Sequence, residues 1–195
     1  MSTKKTSGET QGSADGVRLR PVEAGDVGWM AEMAADRELI GSHNWGGPRE
    51  AHEIEADLRE QLVATGLIGP DNGTLIVALA DDTPIGDVSW RTERWGPSMR
   101  SRCPAIGVAL LPAYRGRGLG TVAQRLLVDR LFSGDPDLHR VQSDTAVDNI
   151  AEDRALLKVG FVVEGVVRDA EFRDGGFHDH TLYSILRSEW EAWKP

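Results

Sequence analysis

The chain has 195 residues, a single domain's length at roughly 150 residues per domain, and can bury a core without disulfides or metals. Its 31 acidic and 22 basic side chains leave a formal charge of −9, which argues against bulk nucleic-acid binding and favours cationic acceptors such as amines. Cys103 is a lone cysteine without a disulfide partner, no Cys/His cluster has zinc-ligand spacing, and no apolar run approaches the roughly 18 residues of a membrane span.

Residues 1–16 are rich in Ser, Thr, Gly and Lys and lack an apolar core, so they read as a disordered tail and not as a secretory signal. Residues 17–195 read as one mixed α/β domain in a reducing cytoplasm. Val17-Arg18-Leu19-Arg20 alternates as a strand, ended by Pro21. Asp26 can cap a helix with Val27, Met30, Met33 and Ala34 on one face. After the loop His43-Asn44-Trp45-Gly46-Gly47, Pro48 opens a second helix with Ala51, Ile54, Leu58 and Leu62 on its apolar side. Its other side carries Glu50, Glu53, Glu55, Asp57 and Glu60, a solvated face that also suits a basic acceptor.

Thr74 to Leu79 and Pro84 to Trp90 form a hairpin across Asp81-Asp82. Ala105 to Leu110 is the next strand, followed by a Gly-rich turn and a strong helix from Leu119 to Phe132. Val141 to Thr145 is a strand, and Asn149 to Val159 a helix stopped by Gly160. Phe161 to Val167 and Thr181 to Leu186 close the chain around a turn at Asp174-Gly175-Gly176. The sum is about seven strands and four helices.

The segment Arg115-Gly116-Arg117-Gly118-Leu119-Gly120-Thr121 sits between a strand and a helix. Its glycines permit φ > 0 and bring backbone N–H groups close to a ligand, and the helix adds free N–H groups and a positive dipole end. Pyrophosphate suits such a place, with Arg115 and Arg117 adding charge. A P-loop is excluded because Gly-Lys-Ser/Thr is missing, and a dinucleotide fingerprint because the glycines fall in another order, deep in the chain.

Arg115-x-x-Gly118-x-Gly120 resembles the acyl-CoA pyrophosphate loop of GNAT-superfamily N-acetyltransferases. Asn149-Ile-Ala-Glu152 and Leu156-Leu-Lys158-x-Gly160-Phe161 resemble that family's later helix and its Gly-Phe ending. Val163-Glu164-Gly165, Arg168 to Phe172 and Asp179 to Tyr183 resemble the RimJ/RimL branch. The resemblance implies a mostly antiparallel sheet with a central splay. It also implies an acetyl-CoA-dependent transfer of an acetyl group directly to a primary amine, on a protein N-terminus or a small molecule. Acetyl-CoA is then a cosubstrate and no metal takes part. No nucleic-acid or membrane partner is implied, and self-association as a homodimer stays open.

By the same resemblance, the backbone of Val108, Ala109 and Leu110 would pair with the pantetheine amides, Arg115 to Thr121 would hold the pyrophosphate, and Asn149 would bind the cofactor's arm. Many members carry Tyr near the cofactor sulfur, where this chain has Leu156; RimL-like sequences carry Ser where it has Glu152. Glu171 is the first candidate for the base that deprotonates the amine, with Asp87 and Ser89 next. Trp45, Trp90 and Trp95 are candidates for lining the acceptor cleft, Trp45 and Trp95 first because they lie in Gly/Pro loops, while Trp90 in a strand reads more as core; Cys103 reads as packing. Leu156 in place of Tyr also admits an alternative, a regulatory module that binds acyl-CoA without turnover.

Overall fold

The computed structural model describes residues 16–69 and 71–193, so the expected tail, Gly16 apart, lies outside the described residues. In chain order the elements are β1 (Val17–Pro21), α1 (Val27–Ala35), α2 (Arg37–Ile40), α3 (Ala51–Thr65), β2 (Asn72–Leu79), β3 (Pro84–Arg94) and β4 (Arg102–Leu110). Then come α4 (Leu119–Gly134), β5 (Arg140–Ala146), α5 (Ile150–Val159), β6 (Val162–Arg173), β7 (Gly176–Leu186) and α6 (Arg187–Trp193). The strands form a seven-stranded sheet in the order β1-β2-β3-β4-β5-β7-β6, antiparallel except for β4 beside β5.

Alternation along the strands sends apolar side chains to both faces. One face carries Leu75, Val77, Val88, Val141, Tyr183 and Ile185 and packs against Ala123, Leu127, Phe132, Leu156 and Val159 of α4 and α5. The other face carries Ile76 and Ala78, which pack with Val27 and Met30 of α1 and half-buried Leu58 and Leu62 of α3. Two helical layers therefore cover one sheet.

Six helices are described where the sequence suggests four, because α2 is a single turn and α6 follows β7 without a break. Asp26 sits at the head of α1 but caps nothing with its side chain. It accepts instead from Arg20 at 2.6 and 2.8 Å, from Glu23 N–H at 2.8 Å and from Trp29 Nε1 at 3.3 Å. Ala31 is buried on α1 where Ala34 was expected. Pro48 lies before α3, whose first residue is Ala51. The last hairpin is longer than alternation indicates and turns at Asp174-Gly175, both at positive φ (54° and 82°), the geometry of a type I′ turn.

Candidate active site

The pairing of β4 with β5 is limited to Ala105 opposite Gln142, with Ser143 Oγ donating to Ile106 O at 3.0 Å. Beyond that point the two strands part, and helix-side and loop-side groups reach the freed β4 edge. Leu111 N–H donates to Ile85 O of β3 at 2.9 Å, so alternation turns the amides of Val108 and Leu110 toward the gap. Asn44 Nδ2 donates to Val108 O at 3.3 Å, and Arg115 Nε to Leu110 O at 2.7 Å.

A cavity of about 450 Å³ opens on this gap. Val108 and Leu110 form its floor, the loop residues Arg115, Gly116, Gly118, Gly120 and Thr121 one end, and Asn149, Glu152, Arg154 and Lys158 the α5 wall. Ala109 alternates to the opposite face. Gly116 and Gly118 adopt φ of 70° and 81°, and Gly118 is the N-cap of α4. A Cβ on either would meet nothing within 4 Å, so the glycines serve backbone conformation and ligand approach, not packing. Gly120 has no positive φ; it lies inside α4 against Leu110, and Leu119 packs on the core.

The two loop arginines differ. Arg115 is pinned to the carbonyls of Leu110 and Leu39, and burial lowers its pKa, so it staples β4 to α2 while lining the cavity. Arg117 is exposed over the Tyr114 ring at 5.9 Å and does not line the cavity. Arg154 and Lys158, one helical turn apart on α5, supply cations there that the sequence reading did not single out. Asn149 caps α5 through Glu152 N–H at 3.4 Å and donates to Thr145 Oγ1 at 2.9 Å, with its side chain on the cavity wall.

The opposite face of the sheet carries the acid–base candidates. Asp87 pairs with Ala109 and Ser89 with Gly107. In the register set by Ala105 and Gln142, Asp144 lies level with Gly107, and Ala146, the partner of His180, lies level with Ala109. Asp87 is half-buried, and burial pushes its carboxyl up to about 7. Glu171 is placed otherwise. A bulge between Val167 and Glu171 brings its carboxylate to His180 Nε2 at 3.2 Å and Arg173 Nε at 3.1 Å. Burial raises its pKa, but those two hydrogen bonds outweigh it and hold the carboxyl below the usual range.

The chain of contacts continues in both directions. His180 Nδ1 meets Asp144 at 2.8 Å, Arg173 donates to Asp148 at 3.1 Å, and His43 Nε2 lies 3.2 Å from Asp148. None of Asp144, Asp148, Arg173 or His180 was singled out from sequence as a site residue, because only the hairpin's bulge and register bring them together.

The tryptophans do not form one cleft. Trp45 stands beneath Arg37 at 5.4 Å, and its Nε1 is buried without a partner among the described residues. Trp90 is a correction: it packs on the core face and covers Gly73, where a Cβ would come within 2.2 Å of its ring. Trp95 is 65% exposed and donates to Gln142 at 2.9 Å beside a separate cavity of about 380 Å³. Cys103 is buried beside that cavity, and burial pushes its thiol up to about 11, which leaves no thiolate at neutral pH.

A sheet splayed beside a Gly-rich helix start has counterparts among known proteins. The family model of the acetyltransferase (GNAT) domain matches residues 17–162. The chain belongs to the GNAT acetyltransferase family. It is an N-acetyltransferase, as its named homologues are. The acetyltransferase is 28% identical over 165 residues to an aminoglycoside N(6′)-acetyltransferase type 1 of Klebsiella pneumoniae, covering 80% of this chain and 78% of that one. It is 34% identical over 94 residues to a putative ribosomal N-acetyltransferase of Bacillus subtilis (strain 168), covering 48% and 51%. Its fold matches the spermidine N-acetyltransferase of Vibrio cholerae, crystallised with CoA and spermine, at a TM-score of 0.76 and 21% identity, over 91% of this chain and 99% of that one.

Proposed function

We propose that this acetyltransferase moves the acetyl group of acetyl-CoA directly onto a primary amine of a small molecule or peptide. The observation that carries this reading is the freed β4 edge at Val108 and Leu110, open to a cavity that ends on the α4 N-terminus. Amides on a strand edge need partners, and a pantetheine chain offers them. The α4 N–H groups, with Arg115, Arg154 and Lys158 on the same cavity, suit the phosphates at the other end. Arg117 would reach phosphate only from the outer rim.

The acceptor would enter from the opposite face, where Asp87, Asp144, Asp148 and Glu171 stand. Four acidic side chains against a single arginine among the described residues, Arg173, favour a cationic amine, in keeping with aminoglycoside and spermidine acceptors of the relatives. An ammonium must lose its proton before it attacks. Asp87 is matched to that task, because its carboxyl titrates near neutrality and meets no ion-pair partner among the described residues. Glu171, already engaged by His180 and paired with Arg173, would shape the wall, and Ser89 would accompany Asp87 on β3.

Initial-rate kinetics test direct transfer. Intersecting double-reciprocal lines for acetyl-CoA and amine are expected, because both substrates must be bound at once. Parallel lines would indicate an acetyl-enzyme and contradict the reading.

A further inference from the structure

Acetyl transfer from a thioester to an ammonium takes two protons from nitrogen and gives one to sulfur, and Asp87 accounts for the first. As the amine nitrogen attacks the thioester carbon and the C–S bond breaks, the electron pair of that bond goes to sulfur. A thiol with a pKa of about 8.5 leaves more readily near neutral pH when an acid protonates it. Leu156 has no proton to give and is fully buried in the core. One helical turn earlier on the same side of α5, Glu152 lines the cavity. Resting on the acetyl-transfer reading, we propose that Glu152 gives its carboxyl proton to the CoA sulfur as the thiolate departs.

The surroundings of Glu152 favour its neutral form. Gln124 of α4 is 1% exposed and donates Nε2 to Glu152 Oε2 at 3.3 Å. The other end of that amide, Oε1, is buried without a partner among the described residues. A protonated Glu152 carries a donor for the pair, and a carboxylate carries none. Burial pushes the carboxyl up to about 7, with the Gln124 hydrogen bond opposing it. The cations nearby are Arg154 and Lys158 on the same helix and Arg115 on the loop, the imidazole of His43 lies across the cavity, and Asp153 is engaged by Tyr183 of β7.

The placement also pairs two groups across the sheet. Glu152 belongs to the helix layer that would cradle the cofactor, and Asp87 faces the acceptor side, with the β4 gap near both. The balance closes: one ammonium proton goes to Asp87 before attack, the second nitrogen proton passes to water as the adduct collapses, and the Glu152 proton goes to sulfur; Asp87 then releases its proton to solvent and Glu152 regains one. The net products are the amide, CoA thiol and one proton.

Glu152→Gln keeps the shape and the Gln124 contact but has no acidic proton. Its kcat with acetyl-CoA is expected to fall about 10²-fold, the lower end of acid–base contributions. Calorimetry should show CoA affinity within two-fold of wild type. The alkaline fall of kcat, set in wild type by ionisation of the acid, should vanish. Acetyl-seleno-CoA, whose selenolate leaves without a proton, should restore most of the lost rate. As a second variant, Gln124→Met removes the hydrogen bond that favours the charged form, so the alkaline limb should move to higher pH. An active wild type with an equally active Glu152→Gln and an unchanged alkaline limb would overturn the assignment alone. Equal deficits with thioester and selenoester would overturn it too. A wild type without amine-dependent thiol release would overturn the acetyl-transfer reading and the assignment together.

Discussion

Asp87 and Glu152 hold carboxyls that burial raises to about 7, so each weakens the fold when it ionises. Their folded values lie above the unfolded ones of about 4. The stability they permit is therefore complete below about pH 4 and is lost as pH rises through about 7. Asp87→Asn and Glu152→Gln should raise the melting temperature by about 3 °C at pH 8 and by less at pH 5.5. A gain independent of pH would mean the carboxyls are not held neutral. In kinetics, Asp87→Asn should lower kcat by about 10²-fold near neutral pH, and the deficit relative to wild type at the same pH should narrow as pH rises and free amine becomes abundant. Glu171→Gln should act mainly on the KM of the amine.

Asp26 has the opposite sign. Burial raises its pKa, but Arg20, Glu23 N–H and Trp29 lower it further, so its contribution is present above the unfolded pKa and lost as pH falls through the lowered folded value. Asp26→Ala should cost about 3 kcal/mol at pH 7, read from urea midpoints, because it removes the bidentate partner of a mostly buried Arg20, leaving it Asp82 and Pro21 O, and frees Glu23 N–H and Trp29. The difference from wild type should shrink below pH 3. The sequence marked Asp26 as a helix cap; four hydrogen bonds to its carboxylate, two from Arg20 of β1, one from the Glu23 backbone N–H and one from Trp29 of α1, decide otherwise, and local pattern carries no signal for them.

At the scale of elements, the loop before α4 has two glycines at positive φ, and the α5 cap has Asn149. Gly118→Val should abolish CoA binding in calorimetry and cost roughly 1–2 kcal/mol of stability from backbone strain. Wild-type affinity in that variant would remove the loop from the site. Asn149→Ala loses a cap worth about 1 kcal/mol, and should also raise the KM for acetyl-CoA more than that for the amine. The loop and this helix were legible because glycine spacing and capping are local chemistry. The acidic wall was not, since the bulge before Glu171 and the pairing of Ala146 with His180 are set by strand register.

At the scale of the molecule, alternation and helical spacing gave the strands, and a mixed α/β domain was legible from them. The gap between β4 and β5 was available only through family resemblance, because an absent pairing leaves no mark in either strand's composition. Arg154 and Lys158 were visible as charges on α5, yet only the docking of α5 beside β4 makes them cavity residues. The proposed transfer runs from this cavity to an amine on the far face of the sheet. The most direct measurement is thiol release from acetyl-CoA by the wild-type chain across a panel of polyamines, aminoglycosides and peptides, with product mass as the readout. Amine-dependent release, matched one for one by a monoacetylated amine and strongest with cationic acceptors, is the expected result. Tight acetyl-CoA binding with no amine-dependent release anywhere in the panel would contradict it and favour a binding module without turnover.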